Sequence, residues 1–348
     1  MIAFNNSSTV NDSCVAISTS SDATGTFNLY QFSYGTTLPD YPKLGVWPDA
    51  YYVTTNSFPH GGAFTGAETC ALDRTKMLAG SAATMICFQR GTSDNSLLPA
   101  DLDGATAPPA GSPNYQMELA SSTTLNLYQF HVDFAVPANS TFTGPTALTV
   151  AAYTDACAAR STCIPQPSPG ETLDALGDRL MYRLAYRNFG THEALVANHS
   201  IKAAGTGNAV PAVRWYEVRS PGSSPFVFQQ GMVGGGTSPV ARWMGSIAMD
   251  KNGDIALGYS KSSSTVKPSI EYVGRIPTDV TGKMESPKLI VAGTGVQRNS
   301  MKRWGDYSSM AIDPSDDCTF WYAQEYYKTT GDFNWVTRLA SFKFTGCV

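Results

Sequence analysis

Arg242-Trp243-Met244-Gly245-Ser246-Ile247-Ala248-Met249-Asp250 and Arg303-Trp304-Gly305-Asp306-Tyr307-Ser308-Ser309-Met310-Ala311-Ile312-Asp313 are one segment written twice. Each copy opens on Arg-Trp, passes through Ser-(Ile/Met)-Ala-(Met/Ile)-Asp and enters a short polar turn. Asp254-Ile255-Ala256-Leu257 follows the first turn and Cys318-Thr319-Phe320-Trp321 the second. Both read as strand, tight turn, strand. A unit recurring at about sixty residues cannot bury its apolar face alone and must stack with its neighbours or close into a ring. The second copy carries Gly305-Asp306 as an insertion against the register of the first, which marks it as the place to look for function.

The rest of the chain has the same texture. Strand-forming runs such as Phe27–Tyr34, Ala50–Thr54, Leu125–Phe134, Leu180–Tyr186, Glu193–His199, Ala212–Val218, Ile270–Arg275 and Trp335–Phe344 are rich in β-branched and aromatic residues. Turn chemistry separates them: Pro48-Asp49, Asn188-Phe189-Gly190, Lys251-Asn252-Gly253. The best helical candidate is Ala71–Ala79. Segments 91–116 and 157–172 read as long ordered loops. Inner strands are expected to start near residues 40, 101, 178, 242 and 303. With a further hairpin over 12–34, the expected fold is an all-β propeller, one domain over 1–348, with six blades (five as the alternative) and the first blade incomplete.

Composition narrows the function classes. The 348 residues are 15% charged, with 31 Gly and 21 Pro, and the formal net charge is −4. No basic cluster marks a nucleic-acid or membrane-surface partner, and no apolar run is long enough for a membrane span. The start of the chain lacks the pattern of a signal peptide, so an extracytoplasmic protein would have lost it or begin inside a longer gene. Seven cysteines without Cys-x-x-Cys spacing favour disulfides over zinc and an oxidising compartment. Nearest-neighbour pairing gives Cys70–Cys87, Cys157–Cys163 and Cys318–Cys347. Cys14 is left as a buried thiol. An unreplaced first strand would leave an open sheet edge and favour self-association.

Cys14-Val15-Ala16-Ile17-Ser18, Tyr41-Pro42-Lys43-Leu44-Gly45-Val46-Trp47-Pro48-Asp49, Asp178-Arg179-Leu180-Met181-Tyr182-Arg183 with Asn188-Phe189-Gly190-Thr191-His192-Glu193, and Arg303-Trp304-Gly305-Asp306-Tyr307 carry a resemblance. Over essentially the whole chain they resemble a family of secreted, propeller-like bacterial proteins, mostly of hypothetical function. The chain also resembles a metagenome-derived quorum-quenching hydrolase that opens N-acyl-homoserine lactones. The resemblance implies a lactonase working in the central channel, with calcium as cofactor by analogy to other propeller lactonases.

Such chemistry needs a hard cation with oxygen ligands, a general base, and cationic or phenolic groups at the developing oxyanion. The inner-strand starts supply candidates: Asp40, Asp178 and Asp306 as metal ligands, with Asp306, Arg303, Arg242, Tyr307 and His192 as catalytic groups. Lys43 and Arg179 join the same ring, where arginines pairing with carboxylates as scaffold is the plainer account. His131 and His199 lie in apolar strands, and His60 is on a loop. Asp250-Lys251-Asn252-Gly253-Asp254 opens like a calcium loop, but its twelfth position is Lys261, not Glu, so a β-turn is expected. No Gly-x-Ser-x-Gly elbow is present. The alternatives are a glycan-active propeller, glycosidase or lectin, in which paired carboxylates and Trp residues contact sugar, and a non-catalytic display or adhesion module.

Overall fold

The computed structural model describes residues 10–158, 161–203, 210–298 and 300–348, and the backbone alone of 2–6. The fold is all-β and of the propeller class, with strands gathered into antiparallel meanders that follow the chain order. The first meander is β1 (Ile2–Asn6), β2 (Asn11–Ser18) and β3 (Phe27–Ser33). The second is β4 (Thr37–Val46), β5 (Ala50–Pro59), β6 (Ala67–Asp73) and β7 (Met85–Gln89). The third is β8 (Leu98–Leu102), β9 (Asn114–Ser121), β10 (Thr124–His131) and β11 (Thr141–Thr149). A small pair, β12 (Thr162–Ile164) with β13 (Leu173–Asp174), interrupts the series. The fourth meander is β14 (Met181–Asn188), β15 (Glu193–Lys202), β16 (Pro211–Arg219) and β17 (Phe226–Val233). The fifth is β18 (Ala241–Met249), β19 (Ile255–Ser262), β20 (Ser269–Arg275) and β21 (Lys288–Val291). The sixth is β22 (Ser309–Ile312), β23 (Phe320–Tyr326) and β24 (Val336–Phe342).

The chain divides into two compact units. One comprises residues 1–101, 111–118 and 127–145; the other comprises 102–110, 119–126 and 146–348. In the first, Val15, Phe32, Tyr51, Val53, Leu72 and Met77 form a core. Ala71–Ala79 is only partly helical there. β6 runs through Asp73, whose carboxylate accepts the Lys76 amide and caps the five-residue helix α1 (Arg74–Leu78). In the second unit Trp215, Ile247, Leu257, Tyr259, Met310, Phe320 and Tyr322 are fully buried or nearly so. Each such side chain stabilises by roughly 1.5–3 kcal/mol.

The repeat has a structural signature beyond the meander. β4 against β5 shifts register between Asp40 and Lys43, β14 against β15 between Met181 and Ala185, and β18 against β19 between Trp243 and Ser246. The extra residues, one on β4 and on β18 and two on β14, bend the inner strand and re-aim its side chains. In the last copy the insertion goes further. Arg242 and Trp243 pair with Lys261 and Ser260 inside the sheet, whereas β22 begins only at Ser309, after the Arg303–Ser308 segment has left it.

All three expected disulfides are present, as Cys70–Cys87, Cys157–Cys163 and Cys318–Cys347, and they fit an oxidising compartment. Residues 159 and 160, inside the second loop, lie outside the described residues. Cys14 is unpaired but exposed rather than buried, because it falls on the face of β2 opposite Val15. Among the described residues, no helix is long and apolar enough to cross a membrane.

Candidate functional site

The Arg303–Ser308 segment, released from its sheet, is held by β13 instead. The Asp174 amide donates to the Lys302 carbonyl at 2.9 Å, and the Asp174 carboxylate accepts the Trp304 amide at 3.1 Å. Trp304 is fully buried, donates its indole N–H to Ser260 Oγ at 3.1 Å and packs on Trp243 at 5.5 Å. The two Trp residues of the repeat therefore anchor one another, and the insertion between Trp304 and Ser308 projects from a fixed base.

What projects is a group of charges. The Arg303 guanidinium reaches Asp174 at 3.2 Å and also pairs with Asp306. Gly305 sits at φ +47°, and a Cβ there would meet Glu325 Oε2 at 3.4 Å, so the loop backbone passes close to that carboxyl. Among the described residues, none donates a hydrogen bond to the carboxyl of Glu325, near the end of β23. Burial, then the charges of Asp306 and Asp174, push its pKa up to about 7. Burial is also the main cause that raises Asp174 to about 6, against the pull of Arg303. Two carboxyls, Asp174 and Asp306, thus share one arginine, and burial with their charges keeps the half-buried Glu325 beside them easier to protonate than an ordinary carboxyl.

Arg303, Asp306 and Glu325 line a cavity of ≈ 360 Å³. Tyr307, Phe333 and Trp335 line it as well. Trp335 is 50% exposed, Phe333 64% and Tyr307 39%, an unusual concentration of open aromatic surface. Tyr327 and Gln297 brace the wall: the Tyr327 hydroxyl lies 3.2 Å from Gln297 Oε1, and Gln297 Nε2 donates to the Arg303 carbonyl at 2.5 Å.

Of the residues singled out from sequence, Asp306, Arg303 and Tyr307 meet at this cavity. Arg242 does not line it. Its place in the paired part of β18 leaves it beside the Val240 carbonyl and Tyr259. His192 stacks on Phe189 at 4.8 Å in the β14–β15 turn, and burial with the nearby Arg219 lowers its pKa. Asp178 is gripped at both oxygens by Arg179, at 2.8 and 2.9 Å. Asp40 is exposed on β4 in the other unit, and Lys43 is buried over the Tyr41 ring. His199 is fully buried against Tyr216, and burial takes its pKa down to about 3. Asp174, Glu325, Phe333 and Trp335 were not singled out from sequence as site residues.

The calcium expectation can be tested on the donors. Ca²⁺ takes six to eight oxygens. Asp178 and Asp306 each already face an arginine. Among the described residues, the one trio of His, Cys, Asp or Glu with converging ligand atoms is Glu68, Cys70 and Cys87, whose cysteines form a disulfide. The nominated ligands therefore do not form a fitting donor set.

No protein-family model matches the chain, and no curated protein matches it by sequence. Among solved structures, a protein of unknown function from Dyadobacter fermentans is similar at 9% identity and a TM-score of 0.44, covering 90% of this chain and 80% of that one. An α-L-arabinanase from Penicillium chrysogenum, complexed with arabinobiose, is similar at 10% identity and a TM-score of 0.39, covering 90% of this chain and 95% of that one.

Proposed function

We propose that the Arg303–Asp306 cavity binds a carbohydrate outside the cytoplasm and cleaves a glycosidic bond in it. Glu325 is the general acid and Asp306, ion-paired with Arg303, the second carboxyl. The observation that carries this reading is one cavity lined by Glu325, by the arginine-paired Asp306 and by the aromatic rings of Tyr307, Phe333 and Trp335. Glycoside cleavage needs two carboxyls in different protonation states, one to protonate the leaving oxygen and one to meet the anomeric carbon directly or through a water. Open aromatic faces suit the apolar faces of sugar rings.

Lactone opening, the reading the resemblance implies, is less well served by these residues. Of the nominated donors to a developing oxyanion, Tyr307 lines the cavity, but the cationic ones are committed elsewhere. Arg303 is already engaged by Asp174 and Asp306, and Arg242 is held in its sheet.

Release of reducing sugar from a panel of neutral polysaccharides, run beside a lactone-opening assay, tests the proposal. Glycan cleavage abolished in Glu325→Gln, with glycan binding retained, is the expected result. Lactone opening that is insensitive to Glu325→Gln, together with no glycan binding, would overturn it.

A further inference from the structure

A second and larger cavity, of ≈ 650 Å³, lies elsewhere in the same unit and shares no lining residue with the first. Tyr272 of β20 and Phe342 of β24 stack at 3.8 Å along its wall, and Phe344 stands edge-on to Phe320 at 5.7 Å. Gly274 makes the arrangement feasible, because a Cβ at that position would come within 2.4 Å of Phe344 Cζ. The wall is therefore aromatic by construction.

Asp254 lines this cavity although the residue is only 3% exposed. Its neighbour Asp250 is fully buried. Asp250 Oδ1 accepts the amides of Asn252 at 2.9 Å and Asp254 at 3.0 Å, while no protein donor reaches Oδ2. The two carboxyls lie close enough for each to disfavour the other's charge. Burial and mutual repulsion raise Asp250 to about 7 and raise Asp254 as well, with Asp279 and Glu285 adding negative charge. Among the described residues, no lysine, arginine or histidine forms an ion pair with either carboxyl. Lys288 and Lys343 line the same cavity, but both side chains are exposed.

A buried carboxylate without a cation is expensive, and the deficit falls when an opposite charge arrives in its place. A flat apolar body against the rings would add area burial and cation–π attraction. We propose that this cavity is a binding site for an organic cation, whose ammonium meets Asp254 and whose apolar body lies against Tyr272, Phe342 and Phe344. An organic anion would face the buried Asp254 with only the exposed, solvent-screened Lys288 and Lys343 to offset it, and a neutral ligand would leave the Asp250–Asp254 pair uncompensated.

Calorimetric titration of the whole chain with 2-phenylethylamine, 3-phenylpropan-1-ol and 3-phenylpropionate tests this. The amine should bind about tenfold or more tightly than the alcohol, and the carboxylate should not bind. Asp254→Asn should remove about tenfold or more of the amine affinity. Glu285→Gln, an exposed change that leaves folding intact, should remove a few-fold. Should Asp254→Asn fail to fold, the ligand charge series and Glu285→Gln decide. Equal binding of amine and alcohol, no binding of the amine, or amine affinity unchanged in the variants would each overturn the proposal.

Discussion

Arg183 of β14 grips both carboxylate oxygens of Asp103, at 2.6 and 2.8 Å, and both side chains are more than nine-tenths buried. Arg183 also donates to the Met310 carbonyl at 3.2 Å, so one guanidinium ties β14 to Asp103 and β22. Removing one partner leaves a buried charge without compensation. Asp103→Asn should therefore destabilise the chain by roughly 3–5 kcal/mol. The double change Asp103→Leu with Arg183→Met should recover much of that loss. Urea unfolding of the three proteins checks it, and a single variant as stable as the parent would show that the pair contributes nothing.

Glu325 sets a pH dependence with a definite sign. As the general acid it must be protonated, and its pKa is near 7, so kcat should fall as pH rises through about 7. Stability should move the same way. Glu325, Asp174 and Asp250 all have folded pKa values raised above their unfolded ones, to about 7, 6 and 7. These three groups hold protons in the folded chain that the unfolded chain has lost between about pH 4 and 7, so their contribution to stability is lost as pH rises through that window, while the lowered pKa of His199 acts in the opposite sense. Glu325→Gln should flatten this part of the profile and lower kcat by about 10²–10⁴. A kcat–pH curve that keeps its fall near 7 in the variant would remove Glu325 from the acid role.

How much of this was legible in the sequence depends on what kind of signal each residue leaves. Asp306 was visible because an insertion into a repeat is local information: Gly305-Asp306 interrupts a pattern that Met244-Gly245 keeps. The meander order was visible for the same reason, since strand and turn chemistry is written within ten residues or so. Glu325 was not visible. It sits in the run Phe320-Trp321-Tyr322-Ala323-Gln324-Glu325, where period-2 reading sees only a strand. Its acid character comes from burial, then from Asp306 in the inserted loop and from Asp174, about 150 positions away in the chain. Asp174 was hidden in a segment next to a long loop, and only the pairing of its backbone with Lys302 brings it to Arg303. Arg242 was over-read, because Arg-Trp is common to both copies and only the copy with the insertion leaves its sheet.

Trp335 offers a test of binding separate from the chemistry. It is half-exposed beside the carboxyl group and does not belong to the core. Trp335→Ala should weaken glycan affinity about tenfold, the scale of an aromatic contact and its buried area. Stability should change by less than about 0.5 kcal/mol, as for a surface substitution. Calorimetric titration with an oligosaccharide and a parallel melting curve separate the two effects. Unchanged affinity in a folded Trp335→Ala protein would show that the aromatic rim does not hold sugar.

The disulfide at the end of the sixth meander constrains far more chain than the one beside β12. Cys318–Cys347 closes a separation of 29 residues, and Cys157–Cys163 one of 6. Loop-closure entropy grows with the logarithm of loop length, giving roughly 3–4 kcal/mol for the longer loop and about 2 kcal/mol for the shorter. The longer bridge also fixes a tail that is hydrogen-bonded to the Asp250 turn. Lys251 Nζ donates to the Val348 carbonyl at 2.7 Å, and Asn252 Nδ2 to the Gly346 carbonyl at 3.1 Å. Replacing Cys318 and Cys347 by Ser should therefore destabilise more than replacing Cys157 and Cys163, by about 1 kcal/mol or more. It should also loosen Phe344, Thr345 and Gly346, which line the cation cavity, and weaken amine binding there. Urea unfolding and amine titration of the two double-serine variants check both halves, and the opposite order of stability would show that loop length does not govern these bridges.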